Sequence, residues 1–260
     1  MSHFIMLDLE TLGTVPGCSI VSIGAAHASY EGYILNRFYT VVSRDSCREY
    51  HLHEEGSTLD WWAAQSEAAR AILSTEQQAA APSLVEALDA FNAFVRYCGP
   101  NVEVYGNGSD FDNAILNAAA MSAGVKPAWP PFGHRCYRTM KSLTPHVKID
   151  RTGTHHNALD DAVSQAEHLG RVRRALTVTT DRIEAIDQFI NWMADHYRER
   201  TSHKRFGIRW HSMSRAAALS YAHATYDAAV LDGSLAPYAE ELDRDNAAVL
   251  VDEDLHCWAD

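Results

Sequence analysis

Three short apolar strands occupy the first 42 residues, joined by connections too brief to carry a crossover, and this restricts the fold more than any other feature. Phe4 to Leu9 is an apolar run bounded by polar residues, the pattern of a buried strand. Ser19 to Ala26 (Ser-Ile-Val-Ser-Ile-Gly-Ala-Ala) is the second, and Arg37 to Val42 the third, reached through the turn-like Tyr30-Glu31-Gly32. Strands in such quick succession predict an antiparallel meander.

From Thr58 onward the apolar period changes to that of helices. Trp61, Trp62 and Gln65 open an Ala-rich stretch that runs to about Ala80. Pro82-Ser83 interrupts it, and Ser83 is placed to cap a helix whose apolar face is Leu84, Leu88, Phe91 and Val95. Val102 to Tyr105 predicts a strand, Phe111 to Ala123 a helix stopped by Gly124, Arg138 to Leu143 a short helix, and His156 onward a longer one. That last helix would set Ala158, Ala162, Ala166 and Leu169 on one face. Strands first, then helices alternating with strands, predict a mixed α/β sheet covered by helices. A boundary is expected near Thr177 to Thr180. Beyond it lie an amphipathic helix (Ile183, Ile186, Phe189, Ile190, Met193), the most basic stretch of the chain (Arg198 to Trp210) and an acidic tail.

Composition narrows the function classes. With 260 residues, 47% of them hydrophobic, the chain can bury a sizeable core. No apolar run is long enough to span a bilayer, and the N-terminus lacks a signal-peptide pattern, so a cytoplasmic protein is expected. Five scattered cysteines without a CxxC pair suggest neither a disulfide framework nor a thiolate zinc site. A net charge of -12 argues against coating long duplexes, which needs a basic face. It leaves room for an enzyme that grips a few nucleotides, because carboxylates bound to divalent ions are locally neutralised.

Three clusters carry chemistry. Asp8 and Glu10 are two apart on a strand, so both carboxylates share one face. They suit hard cations, although a bare Asp-x-Glu more often marks a solvated strand face. Gly106-Asn107-Gly108-Ser109-Asp110-Phe111-Asp112 follows a strand and opens a helix, where sites gather in α/β sheets. There Asp110 is placed to cap, and Asp112 would project from the first turn. In His155-His156-Asn157-Ala158-Leu159-Asp160-Asp161, Asn157 is a natural N-cap and Asp160 is placed for the reciprocal capping contact. Asp161 is left free for a metal, and His156 sits just before the helix.

In this order the clusters resemble the DEDD exonuclease superfamily, the fold of polymerase proofreading domains. Asp8-Leu9-Glu10-Thr11-Leu12-Gly13 looks like its first motif, Asp-x-Glu-Thr-x-Gly. Asn107 to Asp112 looks like the second, whose acidic ligand follows a Phe, and His156 to Asp161 matches the third, His-x-Ala-x-x-Asp. A histidine five residues before the last Asp is the mark of the histidine-containing (DEDDh) branch. The resemblance covers about Phe4 to Arg174. Ser-Ile-Val-Ser-Ile-Gly-Ala and the Thr58 to Gln65 segment look most like phage-type exodeoxyribonucleases and exonuclease VIII-like relatives, and a bacterial exoribonuclease group shares these features.

The resemblance implies a ribonuclease H-like mixed sheet, an antiparallel meander plus parallel strands, flanked by helices. It divides the chain into an exonuclease domain over 1–177 and a mainly helical C-terminal extension over 178–260. It further implies two Mg²⁺ or Mn²⁺ ions held by Asp8, Glu10, Asp112 and Asp161, with neutral His156 as general base. The substrate would be the 3′ end of single-stranded DNA or RNA, DNA being favoured, cut to nucleoside 5′-monophosphates. Thr11 and Leu12 are expected at the terminal sugar and base, with Trp62, Gln65 and Asn107 as further substrate contacts. Trp61 and Trp62 each suit either base stacking or core burial. A homodimer is compatible with relatives of this fold. The rival readings are an exoribonuclease with the same site, a nucleic-acid-binding module without catalysis, and a hydrolase of small phosphates.

Overall fold

The computed structural model describes residues 3–108, 110–130, 132–205, 208–211, 213–238 and 241–257. They form two compact units, Met1–Leu176 and Thr177–Asp260. Among the described residues no helix is long and apolar enough to cross a membrane.

The first unit opens with strands β1 (His3–Thr11), β2 (Ile20–Ser29) and β3 (Ile34–Val41). Short helices α1 (Arg44–Glu49), α2 (Gly56–Ala63), α3 (Glu67–Arg70) and α4 (Thr75–Ala80) follow, then α5 (Leu84–Cys98). Strand β4 (Glu103–Gly106), helix α6 (Asp112–Ser122), strand β5 (His134–Cys136) and helix α7 (Tyr137–Ser142) lead to α8 (Ala158–Arg200). The five strands make one sheet in the order β3-β2-β1-β4-β5. The meander pairs antiparallel, and β4 and β5 add to it in parallel. This is the mixed, helix-flanked sheet, antiparallel meander plus parallel strands, that the motif resemblance implies.

Strand β1 lies at the centre and is covered on both sides. Its odd residues Ile5, Leu7 and Leu9 pack into a core with Leu84, Leu88 and Phe91 of α5 and Ile115 and Leu116 of α6. Its even residues Phe4 and Met6 pack with Ala162, Ala166 and Leu169 of α8 and with Tyr137. Asp8 and Glu10 continue the even series, so strand periodicity delivers both carboxylates to the α8 side of the sheet.

Helix α8 can sit close to that face because the contact residues are small. A Cβ on Gly24, the partner of Asp8 in β2, would lie 2.1 Å from the carbonyl carbon of Ala158. One on Gly170 would lie 1.9 Å from the carbonyl oxygen of Glu31. Two glycines thus clamp the helix, one at its first turn and one three turns on. Helix α5 starts as the sequence predicts, with Ser83 and Glu86 in a capping box, an arrangement that contributes roughly 1 kcal/mol.

The second unit takes in the C-terminal part of α8, a hairpin of β6 (Ser202–Arg205) and β7 (Ile208–His211), and helices α9 (Arg215–Asp232) and α10 (Arg244–Cys257). Phe189, Ile190, Met193 and Tyr197 pack with Ala218, Ala222, Leu250 and Val251. The two units divide after Leu176, next to the boundary expected near Thr177 to Thr180, and the division falls within the 43-residue helix α8. Ile183 remains 55% exposed, so the expected amphipathic face begins only at Ile186. Phe206 and Gly207 of the basic stretch lie outside the described residues.

Candidate active site

The three clusters converge at one end of the sheet. Asp112 is the first residue of α6, and its side chain is 1% exposed. Beyond Met6 the ladder from β1 to β4 ends, which frees the Leu9 N–H. That N–H donates to Asp112 Oδ1 at 3.1 Å, and the Asn107 N–H donates to Oδ2 at 2.6 Å. One carboxylate therefore ties the end of β1 to the loop after β4. Asp110, by contrast, is exposed and makes no cap: the N-cap position falls on Phe111, without a side-chain bond. Ser109, between them, lies outside the described residues.

Asp161 comes from the first turn of α8. Asn157 caps that helix as predicted, its Oδ1 accepting from the N–H groups of Leu159 and Asp160 at 3.1 and 3.2 Å. Asp160 does not complete a capping box; its carboxylate accepts instead from the Thr154 N–H at 2.7 Å. Gly153 is required for this, since its φ is +79° and a Cβ there would lie 2.3 Å from that carboxylate. His156 has φ +62°, uncommon for a side-chain-bearing residue, and its N–H donates to Asp161 Oδ2 at 3.1 Å. The left-handed backbone turns the imidazole over the carboxylates. Its ring meets Trp61 edge-on at 4.8 Å between centroids.

Asp8, Glu10, Asn107, His156 and Asp161 line a cavity of about 470 Å³, with Thr11, Trp61, Arg151 and Gln165 among its other walls. Gln165 donates from Nε2 to Asp8 Oδ1 at 2.7 Å, and Arg151 pairs with Asp161 Oδ1. Ligand atoms of Glu10, His156 and Asp161 lie within 4.8 Å of one another.

Burial and mutual repulsion dominate the electrostatics. Burial holds the Asp8 carboxyl well above its usual range, helped by repulsion from Asp112, Glu10 and Asp161 and opposed by Gln165. Burial, then Asp161 and Asp112, push Glu10 up to about 8. Burial also raises Asp112 to about 6, against the pull of its backbone donors. His156 is lowered by burial and by His155, with Asp161 opposing. Among the described residues Arg151 is the one basic side chain ion-paired with any of these carboxylates. Four such groups with one cation between them are electrostatically uncompensated, and hard divalent cations would compensate them. The donor set therefore fits divalent metal ions.

Other predicted residues are placed differently. Leu12 is fully buried beneath the cavity, in a small core with Val21, Trp62 and Ile72. Trp62 is 2% exposed, and its Nε1 donates to the Thr11 carbonyl at 2.9 Å. Neither reaches the wall, which corrects the expectation that they meet substrate. Trp61, 42% exposed, is the indole on the wall. Gln65 is also off the wall, its amide donating to the Trp61 carbonyl at 3.0 Å. Gln165 and Arg151 were not anticipated. Gln165 follows Asp161 by four on a helix, a spacing that puts both on one face and would have found it. Arg151 lies in a loop and carries no such signal.

The sequence profile of the 3′-5′ exoribonuclease Rv2179c-like domain matches residues 3–172. No curated protein matches the chain. Among solved structures, it is similar to the nuclease domain of 3′hExo, a DEDDh family member bound to rAMP, at 15% identity and a TM-score of 0.49, covering 67% of this chain and 92% of that one. Cell-death related nuclease 4 is similar at 12% identity and 0.48, covering 67% and 64%. E. coli Exonuclease I with a dA16 oligonucleotide is similar at 14% and 0.47, covering 68% of this chain and 43% of the other. The family assignment rests on the profile match and on the motifs and fold described above. The chain belongs to the 3′-5′ exoribonuclease Rv2179c-like domain family and is a DEDDh-type 3′-5′ exonuclease.

Proposed function

We propose that this cavity hydrolyses the last phosphodiester at the 3′ end of a single strand, with Asp8, Glu10, Asp112 and Asp161 as ligands of two Mg²⁺ or Mn²⁺ ions and His156 as general base. The observation that carries the reading is the convergence of four half-buried or buried carboxylates, three with raised pKa, two of which (Glu10 and Asp161) lie with the His156 imidazole within ligand reach of one another. Bound divalent ions would neutralise the carboxylates and stabilise charge on the scissile phosphate.

The remaining steps belong to the chain itself. Asp112 is held by two backbone N–H groups and Asp8 by Gln165, so their oxygens are fixed before substrate arrives. Lowered basicity keeps His156 neutral near pH 7, with a ring nitrogen free to take a proton from the attacking water. The water oxygen bonds to phosphorus, the bond from phosphorus to the 3′ oxygen breaks, and that oxygen gains a proton. The products are a nucleoside 5′-monophosphate and a strand one residue shorter. Trp61, edge-on to His156, supplies an aromatic wall for the terminal base.

The resemblance of the motifs favoured DNA, whereas the family's description as an exoribonuclease favours RNA, so RNA is the polymer of first choice. We assign catalysis to residues 1–177 and treat 178–260 as a helical extension. The test uses matched 5′-labelled single-stranded RNA and DNA with Mg²⁺ or Mn²⁺, for wild type and Asp161→Asn, with a chelator control. A metal-dependent ladder lost in the variant is expected, faster on RNA. Failure to shorten either polymer with either metal would overturn the reading.

A further inference from the structure

A second cavity, of about 380 Å³, adjoins the first and shares Asn107, Arg151 and Gln165 with it. Its walls come from α7, the segment that follows it and α8. They carry Arg138, Lys141, Lys148 and Arg151 and no carboxylate. This is unusual in a chain of net charge -12, and two of its only four lysines are here. The cations are held in place: Arg138 donates to the Asn107 carbonyl at 2.7 Å, and Lys148 to the Pro145 carbonyl at 2.9 Å. Lys141 lies 5.2 Å over the Tyr137 ring. Its basicity is lowered by burial and by repulsion from Arg138 and Arg151, of which Arg151 is paired with Asp161 on the neighbouring wall. The junction of the cavities adds two buried acceptors: Asn107 Oδ1 and Gln165 Oε1 have no hydrogen-bond partner among the described residues.

We propose that this cavity binds the phosphate next upstream of the scissile one, with Lys141 and Lys148 as its specificity-determining contacts. The inference rests on the exonuclease reading, and the shared wall supplies the geometry. A strand with its last phosphodiester at the carboxylates can continue across the wall the two cavities share, past Asn107 and Arg151, and the side chains it meets there are basic. Acceptors at the junction suit sugar hydroxyls, and cations on the far wall suit a phosphate. Together they match the polarity of one nucleotide.

The test measures binding of a 5′-labelled single strand by fluorescence anisotropy in chelator, then steady-state kinetics with metal. Two strands are compared, one natural and one with a single neutral methylphosphonate at the upstream position. For wild type, the neutral strand should bind about three- to tenfold more weakly, the range of a partly exposed charge-assisted contact. For Lys141→Gln and Lys148→Gln that difference should shrink toward one, the loss falling on KM rather than kcat. The slope of log Kd against log salt should fall by about 0.7 per contact removed. Lys141→Arg, which keeps the charge, should restore the discrimination and also controls for folding. Equal discrimination in wild type and variants, or none in wild type, overturns the assignment. Either result leaves the exonuclease reading intact if strands are still shortened, whereas absence of shortening with normal discrimination would sink that reading alone.

Discussion

Replacing Glu10 by Gln should stabilise the metal-free protein while destroying its function. Glu10 is 7% exposed, and its carboxyl is raised from 4.5 to about 8. A carboxyl with a raised folded pKa favours the protonated form in the fold. Its contribution is therefore intact below about pH 4.5 and lost as pH climbs through 8. The shift of about 3.5 units is worth on the order of 5 kcal/mol once the group is fully ionised. Relaxation around the charge reduces that, and about half is a realistic expectation. At roughly 2–4 °C per kcal/mol for a unit of this size, Glu10→Gln should melt about 5–10 °C above wild type at pH 9 in chelator. At pH 5 the two should differ little. Saturating Mg²⁺ or Mn²⁺ should raise wild type far more than the variant, because a metal that binds only the native state stabilises by about 2.7 kcal/mol at a hundredfold excess over Kd. Differential scanning calorimetry at the two pH values, with and without metal, reads all four states. Equal melting of variant and wild type at pH 9 in chelator would refute the reasoning, as would a gap of the same size at pH 5.

Further outcomes follow from single contacts. Gly24→Ala places a Cβ 2.1 Å from the Ala158 carbonyl carbon, so α8 must shift and carry Asp161 and His156 with it. We expect a loss of about 1–3 kcal/mol by thermal melt and about a hundredfold in kcat; wild-type kcat would show that the close contact does not set the site. Trp62→Ala should cost about 3–5 kcal/mol, and Trp61→Ala should spare the melt and raise KM. Similar melts for the two variants would mean the indoles are not divided as described. Because His156 is lowered from 6.5, the acid limb of kcat/KM should lie below that value and vanish in His156→Ala, which should lose about 10²–10⁴ in rate. A pH profile unchanged in the variant would remove His156 from the proton transfer.

What the sequence determines here is local and periodic. Alternation along Phe4 to Glu10 assigns Asp8 and Glu10 to one face, because strand geometry repeats every two residues whatever lies opposite. Helical period and capping chemistry likewise place Asn157 at the start of α8 and Asp161 on its first turn. The meander, the cap at Ser83 and the extent of the α6 helix were legible for the same reason. The tertiary structure decides whatever depends on partners distant in sequence. Trp61 and Trp62 are neighbours on one short helix, and only the docking of α2 against the Thr11 carbonyl buries the second and exposes the first. Arg151 meets Asp161 through a loop whose path no periodicity encodes. Asp110 looked like the cap of α6, yet the chain turns at Phe111 so that Asp112 can take the backbone donors of Leu9 and Asn107. Local spacing names the side chains that can act, and long-range packing chooses which of them face the cavity.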